Sequence, residues 1–281
     1  MRFHLVDVFA ERAYAGNQLA VVESLGELTE EKMQQIAAEM NYSETTFIES
    51  FDERDVRIFT PNEEIPFAGH PTLGTASVIQ EQTDVDNEID LRLPVGRIPV
   101  RAERDGDREH LWMTQQSPEF GDRLDPETLT EVLSLTADDL GDDEEYPIQV
   151  VSTGLPTIIV PLAHRSALER IELDRQAYDS MVEDREAKNV LAFCTEPSDD
   201  ADLAVRVFAP YYGVPEDPAT GSSNGCLAGY LASHGDSERV DLRVNQGDEM
   251  GRPSRLHLRA DSSGTVEIGG RVIPVARGEL V

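Results

Sequence analysis

Val56-Arg57-Ile58-Phe59-Thr60-Pro61 and Val205-Arg206-Val207-Phe208-Ala209-Pro210 are two versions of one segment, 149 residues apart (206 − 57) in a chain of 281. Ile65-Pro66 and Val214-Pro215 keep the same offset. An interval of about half the chain points to a duplicated domain, not a solenoid of short repeats. Each copy is a short β-branched and aromatic run ended by proline, which reads as a strand. Behind each lies a loop that runs into a helix start: Phe67-Ala68-Gly69-His70-Pro71-Thr72-Leu73-Gly74 in the first half, Glu216-Asp217-Pro218-Ala219-Thr220-Gly221-Ser222-Ser223 in the second. Proline and hydroxyl residues there are helix-start chemistry. The helices, predicted over Thr72–Ile79 and Ser222–Ala232, are rich in Gly, Ala and Ser. Glycine costs a helix ~1 kcal/mol relative to alanine, so these sequences favour close packing, as in a helix threaded through a curved sheet. Backbone N–H groups at such helix starts make a ready anion site.

Elsewhere the pattern is mostly strand. Runs at Arg2–Phe9, Gln18–Glu23, Thr45–Phe51, Glu88–Leu93, Arg97–Ala102 and Glu109–Thr114 are bounded by turn residues, and Glu30–Met40 carries a helical stripe of Met33, Ile36, Ala37 and Met40 behind a Thr29 cap. The polar stretch Ser117–Asp125 breaks the pattern and marks the expected boundary between an N-terminal domain, residues 1–118, and a C-terminal one, residues 119–281. The second half shows strands at Ile148–Ser152, Thr157–Pro161, Asn189–Phe193 and Leu203–Ala209, with helices near Glu127–Leu135 and Asp174–Glu186. The acidic run Asp142-Asp143-Glu144-Glu145 reads as a solvated loop. The closing strand, Arg271–Val275, is free to stay with the second domain or cross back to the first.

Charge and composition exclude several classes. With 24 Lys+Arg against 55 Asp+Glu the formal net charge is −31, Lys32 and Lys188 are the only lysines, and the acidic residues run along the whole chain. Such surfaces belong to proteins of salt-rich cytoplasm, and a phosphate backbone would be repelled, so no nucleic-acid partner is expected. No apolar run approaches the ~20 residues of a membrane span, and the N-terminus shows no signal-peptide core. A cytoplasmic protein with no membrane partner is the expectation. Two cysteines, Cys194 and Cys226, do not make a disulfide framework. No zinc-ligand spacing, phosphate-binding loop or dinucleotide fingerprint occurs. No metal and no cofactor are expected.

Each of the two loops alone also reads as an ordinary capped turn. Both together, duplicated and each carrying an ionisable group (His70 and Asp217), favour a site for a small carboxylate. Glu44, in Asn41-Tyr42-Ser43-Glu44-Thr45-Thr46-Phe47, lies where a strand begins. By itself it reads as a solvent-facing strand-edge residue, and spacing does not select it.

Together the segments resemble the phenazine-biosynthesis-like (PhzF) isomerase family, within the diaminopimelate-epimerase fold superfamily. The resemblance runs through Val6–Ala10, Gly16–Val22, Ser43–Phe47, Arg57–Pro61, Pro66–Gly74 and Phe208–Ser222, in family order. It implies an α/β (α+β) fold of two similar domains, each a curved, mostly antiparallel sheet or barrel around a central helix, with the active site between them and a homodimeric assembly. It also implies that Glu44 is the catalytic acid/base and that Asp217 and His70 assist. Thr72 and Ser222 would hold substrate, with Gly69 and Gly221 where backbone amides approach its carboxylate.

The implied activity is a cofactor-independent proton shift on a small unsaturated or hydroxy carboxylic acid, as in the isomerisation of trans-2,3-dihydro-3-hydroxyanthranilate. Moving a proton between carbons needs one group that takes it and returns it, with a pKa poised near working pH. Epimerases of the superfamily use one cysteine from each domain. The corresponding loops here carry no thiol, and both cysteines read as buried apolar residues. An epimerase or lyase of a small hydroxy or amino acid at the same site, and a non-catalytic small-acid binding protein, stand as alternatives.

Overall fold

The computed structural model describes residues 1–83, 87–142, 144–196, 201–235, 237 and 239–281; Asp143, in the expected acidic loop, lies outside them. In chain order the elements begin with β1 (Arg2–Val8), β2 (Asn17–Glu23), α1 (Glu30–Met40), β3 (Thr45–Ser50), β4 (Asp55–Phe59), β5 (Glu64–Ile65) and α2 (Gly69–Gln82). Next come β6 (Glu88–Leu93), β7 (Gly96–Asp105), β8 (Arg108–Gln115), β9 (Glu119–Arg123), α3 (Pro126–Leu133), β10 (Gln149–Ser152), β11 (Thr157–Pro161), α4 (Arg165–Arg170) and α5 (Arg175–Val182). The chain continues through β12 (Asn189–Cys194), β13 (Leu203–Ala209), β14 (Val214–Asp217), α6 (Gly221–His234), β15 (Arg239–Gln246), β16 (Ser254–Asp261), β17 (Val266–Gly270) and β18 (Val272–Glu279).

These elements form two compact units, Met1–Thr114 with Gly269–Val281, and Gln115–Ile268. In the first, β18 pairs antiparallel with β1 and β1 with β2, β2 runs parallel to β3, and β3–β4–β5 is antiparallel. Strand β4 then runs parallel to β6, followed by antiparallel β6–β7–β8. The second unit repeats the scheme: β9–β10–β11 antiparallel, β11 parallel to β12, β12–β13–β14 antiparallel, β13 parallel to β15, and β15–β16 antiparallel. Parallel neighbours need a crossover. In both units one crossover is an outer helical connection (α1, or α4 and α5) and the other is the small-residue helix, α2 or α6.

The small residues of those helices mark close approaches. A Cβ on Gly74 of α2 would lie 2.4 Å from Leu19 Cδ2 and 2.9 Å from Val8 Cγ2, while one on Gly225 of α6 would meet the Gln115 side chain at 1.8 Å. Residues from His70 to Ala76, with Val78 and Ile79, are buried along α2; Ser223 to Leu231 are buried along α6. On the outer face of the second unit, Leu129, Leu133, Leu168, Tyr178 and Phe208 share an apolar cluster. Met33 and Ala37 of α1 pack with Phe47 and Phe59 in the first, and the Thr29 hydroxyl caps α1 by accepting from Lys32 N.

Three expectations change. The stretch Ser117–Asp125, read as a break, contains β9: all five of its residues are exposed, so it carries no alternation, yet it pairs with β10. The two-residue β5 and the strand β14 carried no strand signal because each is short and partly exposed. The internal repeat also shifts register. Ile58 faces Ile65, and its counterpart Val207 faces Asp217, so beyond the first strand the offset grows to 152 residues (217 − 65). The extra residues form the Pro210–Tyr212 3-10 turn, closed by Gly213 at φ 82°. Ile65-Pro66 and Val214-Pro215 are therefore not structural counterparts, whereas Gly69 and Gly221, which open α2 and α6, are.

Candidate active site

Each unit gathers polar groups where its small-residue helix begins. In the first, Glu44 stands immediately before β3 and His70 is the second residue of α2. Their side chains meet: Glu44 Oε2 lies 3.5 Å from His70 Nε2, with the carboxylate 18% and the imidazole 7% exposed. The other ring nitrogen, Nδ1, is 3.4 Å from the Asn17 side-chain amide. Burial pushes His70 down to about 3, against a raising hydrogen bond with the Gln18 backbone. A buried imidazole next to a carboxylate therefore stays neutral at ordinary pH, because removal from water penalises its cation more than this neighbour stabilises it. The pair is a carboxyl beside a neutral ring, not an ion pair.

Nothing caps α2 through a side chain, and its N-cap is Ala68. Thr72 donates its hydroxyl proton to the Ala68 carbonyl at 2.7 Å and is 1% exposed. That proton is committed to the first turn, while Gly69 stays half-buried at the helix start. Farther along α2, buried Thr75 ties the helix to β3 by donating to Thr46 Oγ1 at 2.8 Å.

In the second unit Asp217 ends β14, and α6 starts at Gly221 with no side-chain cap. Thr220 donates its hydroxyl to Asp217 Oδ2. Gln115 donates to the Gly221 carbonyl at 3.0 Å and accepts from Thr153 at 2.6 Å. Ser222 is half-buried between buried Gly221 and Ser223. Ser223 receives the Asn189 amide at 3.3 Å and lies 3.1 Å from the Thr157 hydroxyl.

The repeat shows how the halves differ. Thr46 faces Ile58, and Leu191 faces the matching Val207; two residues earlier stand Glu44 and Asn189. With the 152-residue offset, His70 corresponds to Ser222. The first unit thus carries a carboxyl and an imidazole where the second carries an amide and a hydroxyl. Of the two, only the carboxyl–imidazole pair is built of groups that can take up and give back a proton; an amide and a hydroxyl can only hydrogen-bond. Both cysteines are buried and free, Cys226 within α6 and Cys194 at the end of β12, and burial raises both thiols.

Asn17, Gln115 and Gln246 were not singled out from sequence as site residues. Asn17 does stand beside a glycine at a strand start and Gln246 at a strand end, but a single amide carries no periodicity.

The family description "Phenazine biosynthesis-like protein" (PhzC-PhzF) matches residues 6–278. The chain belongs to this family. A phenazine-biosynthesis-like relative, the trans-2,3-dihydro-3-hydroxyanthranilate isomerase of Pseudomonas aeruginosa, is 35% identical over 99% of this chain and 98% of its own length. An uncharacterized isomerase of Pasteurella multocida is 34% identical, over 99% of this chain and 93% of its own. Among solved structures, the Bacillus anthracis phenazine biosynthesis protein of the PhzF family superposes with a TM-score of 0.91 at 26% identity, covering 100% of this chain and 99% of that one. The phenazine-biosynthesis-like fold is mixed α/β, as the family resemblance implied. Among the described residues no helix is long and apolar enough to cross a membrane.

Proposed function

We propose that this protein is an isomerase that moves a proton within a small unsaturated or hydroxy carboxylic acid, of the class of trans-2,3-dihydro-3-hydroxyanthranilate, without cofactor or metal. The observation that carries the reading is the approach of Glu44 Oε2 to a neutral, buried His70 at 3.5 Å. Glu44 takes a proton from one substrate carbon as its carboxylate and returns it to another as its acid, so atoms and charge balance over the cycle. His70, being neutral, serves as a hydrogen-bonding partner whose role follows its tautomer, not as a fixed cation. Asp217, Ser222 and the amides at Gly69 and Gly221 hold the substrate, the amides facing its carboxylate. Thr72 holds the first turn of α2 in shape. The family resemblance supports a homodimer, and the net charge supports a salt-rich cytoplasmic setting.

The test is proton NMR in D₂O at high KCl with trans-2,3-dihydro-3-hydroxyanthranilate. Wild type is expected to introduce deuterium into the ring, and Glu44→Gln to slow this by at least about 10³-fold while still binding ligand. Silence from folded wild type would exclude this substrate. Exchange that persists in Glu44→Gln would remove Glu44 as the base. Inversion at a stereocentre, or loss of a substituent, would make the protein an epimerase or a lyase instead.

A further inference from the structure

We propose that Gln246, at the end of β15, is a positioning residue that fixes the Asp217–Thr220 loop and the first turn of α6 for substrate; the inference rests on the proposed isomerase reading. Gln246 is 1% exposed, and both ends of its side-chain amide are hydrogen-bonded. Oε1 accepts from Thr220 N at 3.2 Å and from Asn224 Nδ2 at 2.8 Å. Nε2 donates to the Asp217 carbonyl at 2.7 Å and to Thr220 Oγ1 at 3.1 Å. The amide cannot be turned over, because a backbone N–H only donates and a backbone carbonyl only accepts.

One bond has a directional effect. Thr220 has a single hydroxyl proton, and Gln246 Nε2 already donates to its oxygen. The proton therefore points to Asp217 Oδ2, where the structure has it. Gln246 thus sets both the backbone of the loop and the orientation of the hydroxyl that holds the Asp217 carboxylate. The next residue presses on the same loop: Gly247 is at φ 81°, and a Cβ there would lie 2.7 Å from the Pro218 carbonyl.

The internal repeat shows that the fold itself does not need this amide. Asp55 pairs with Arg92 in the first unit, and its counterpart Ala204 pairs with Asn245 in the second. Gln246 therefore corresponds to Leu93, a buried leucine 4% exposed. A buried amide costs free energy unless every group is bonded, so leucine is the simpler choice for packing. The second unit keeps the amide at the position that reaches Asp217 and Thr220.

The experiment compares wild type with Gln246→Leu, Gln246→Glu, Thr220→Val and the Gln246→Leu/Thr220→Val double variant. The readouts are amide hydrogen exchange at Gly221–Asn224 and steady-state kinetics with trans-2,3-dihydro-3-hydroxyanthranilate. Gln246→Leu is expected to speed exchange in that turn at least about tenfold and to lower kcat/KM at least about tenfold, chiefly through KM. Gln246→Glu, which keeps an acceptor but loses the donor when ionised, is expected to behave alike and stands in if the leucine variant fails to fold. The double variant is expected to be no worse in kcat/KM than the poorer single one, since both changes break one chain of bonds. Wild-type exchange in both Gln246 variants, or fully additive losses in the double variant, would overturn the proposal. If wild type does not turn over this acid, that substrate is excluded, and the exchange rates alone still decide whether Gln246 holds the turn.

Discussion

At the scale of single residues, His70 is where burial and chemistry meet. Its pKa falls from the ordinary 6.5 to about 3 because the ring is out of water. Between these two values the unfolded chain binds a proton that the native state does not. Stability contributed by neutral His70 is therefore full above about pH 6.5 and is lost as pH drops toward 3, at up to about 1.4 kcal/mol per pH unit. Replacement by glutamine is expected to flatten the stability–pH curve in that window, measured by urea unfolding from pH 4 to pH 7. An unchanged slope would mean that the ring titrates normally in the native state. The imidazole carbon-bound protons of wild type should likewise show no titration in NMR near pH 6.5. From sequence, His70 was visible as an ionisable group in a duplicated loop, but its neutrality was not, since neutrality comes from α2 being enclosed by its own sheet.

At the scale of elements, the duplicated strand carries a matched pair of ion bridges. Arg57 of β4 holds Glu64 through Nε at 2.7 Å and Nη2 at 2.5 Å, and Arg206 of β13 holds Glu216 through the same two nitrogens at 2.8 Å. Each guanidinium also lies over the ring two residues on, Phe59 at 5.2 Å and Phe208 at 5.0 Å. The environments differ. The Arg206 side chain is 9% exposed and also bonds the Leu168 and Ile171 carbonyls, whereas that of Arg57 is 22% exposed and its second partner is the exposed Glu30. Breaking a buried, fully bonded pair costs about 3–5 kcal/mol, and an exposed pair about 0–1. Arg206→Lys is therefore expected to lower stability by several kcal/mol and Arg57→Lys by clearly less, as measured by chemical denaturation. Equal losses would mean that the two bridges do the same work despite their burial. The repeated Arg-x-Phe was legible at once in the sequence. The glutamate partners were not, because the three-residue turn at Pro210–Tyr212 shifts their spacing.

At the scale of the whole molecule, charge dominates. A formal net charge of −31 spread over the chain gives a self-repulsion that salt screens, since the Debye length shrinks from about 10 Å at 0.1 M to 3 Å at 1 M. The melting temperature is expected to rise steadily between 0.1 and 2 M KCl, read by calorimetry, with most of the gain below about 1 M. A melting temperature that ignores salt over that range would show that repulsion is not what limits stability.

The duplication, most element positions and the loops that open α2 and α6 were legible in the residues themselves, because these rest on local periodicity, turn chemistry and helix-start residues, while the α/β class came with the family resemblance. The sequence also singled out His70 and Asp217 as ionisable groups in matching loops, while Glu44 came from family resemblance alone. Tertiary structure decided the rest. It brought Glu44 onto His70 in the first unit, and at the equivalent positions of the second it placed the Asn189 amide and the Ser222 hydroxyl. It also turned an exposed polar stretch into β9 and ran Gln246 into the start of α6. Those outcomes depend on groups far apart in the chain meeting once strands pair, and on how much water that pairing removes, neither of which a local pattern of residues encodes.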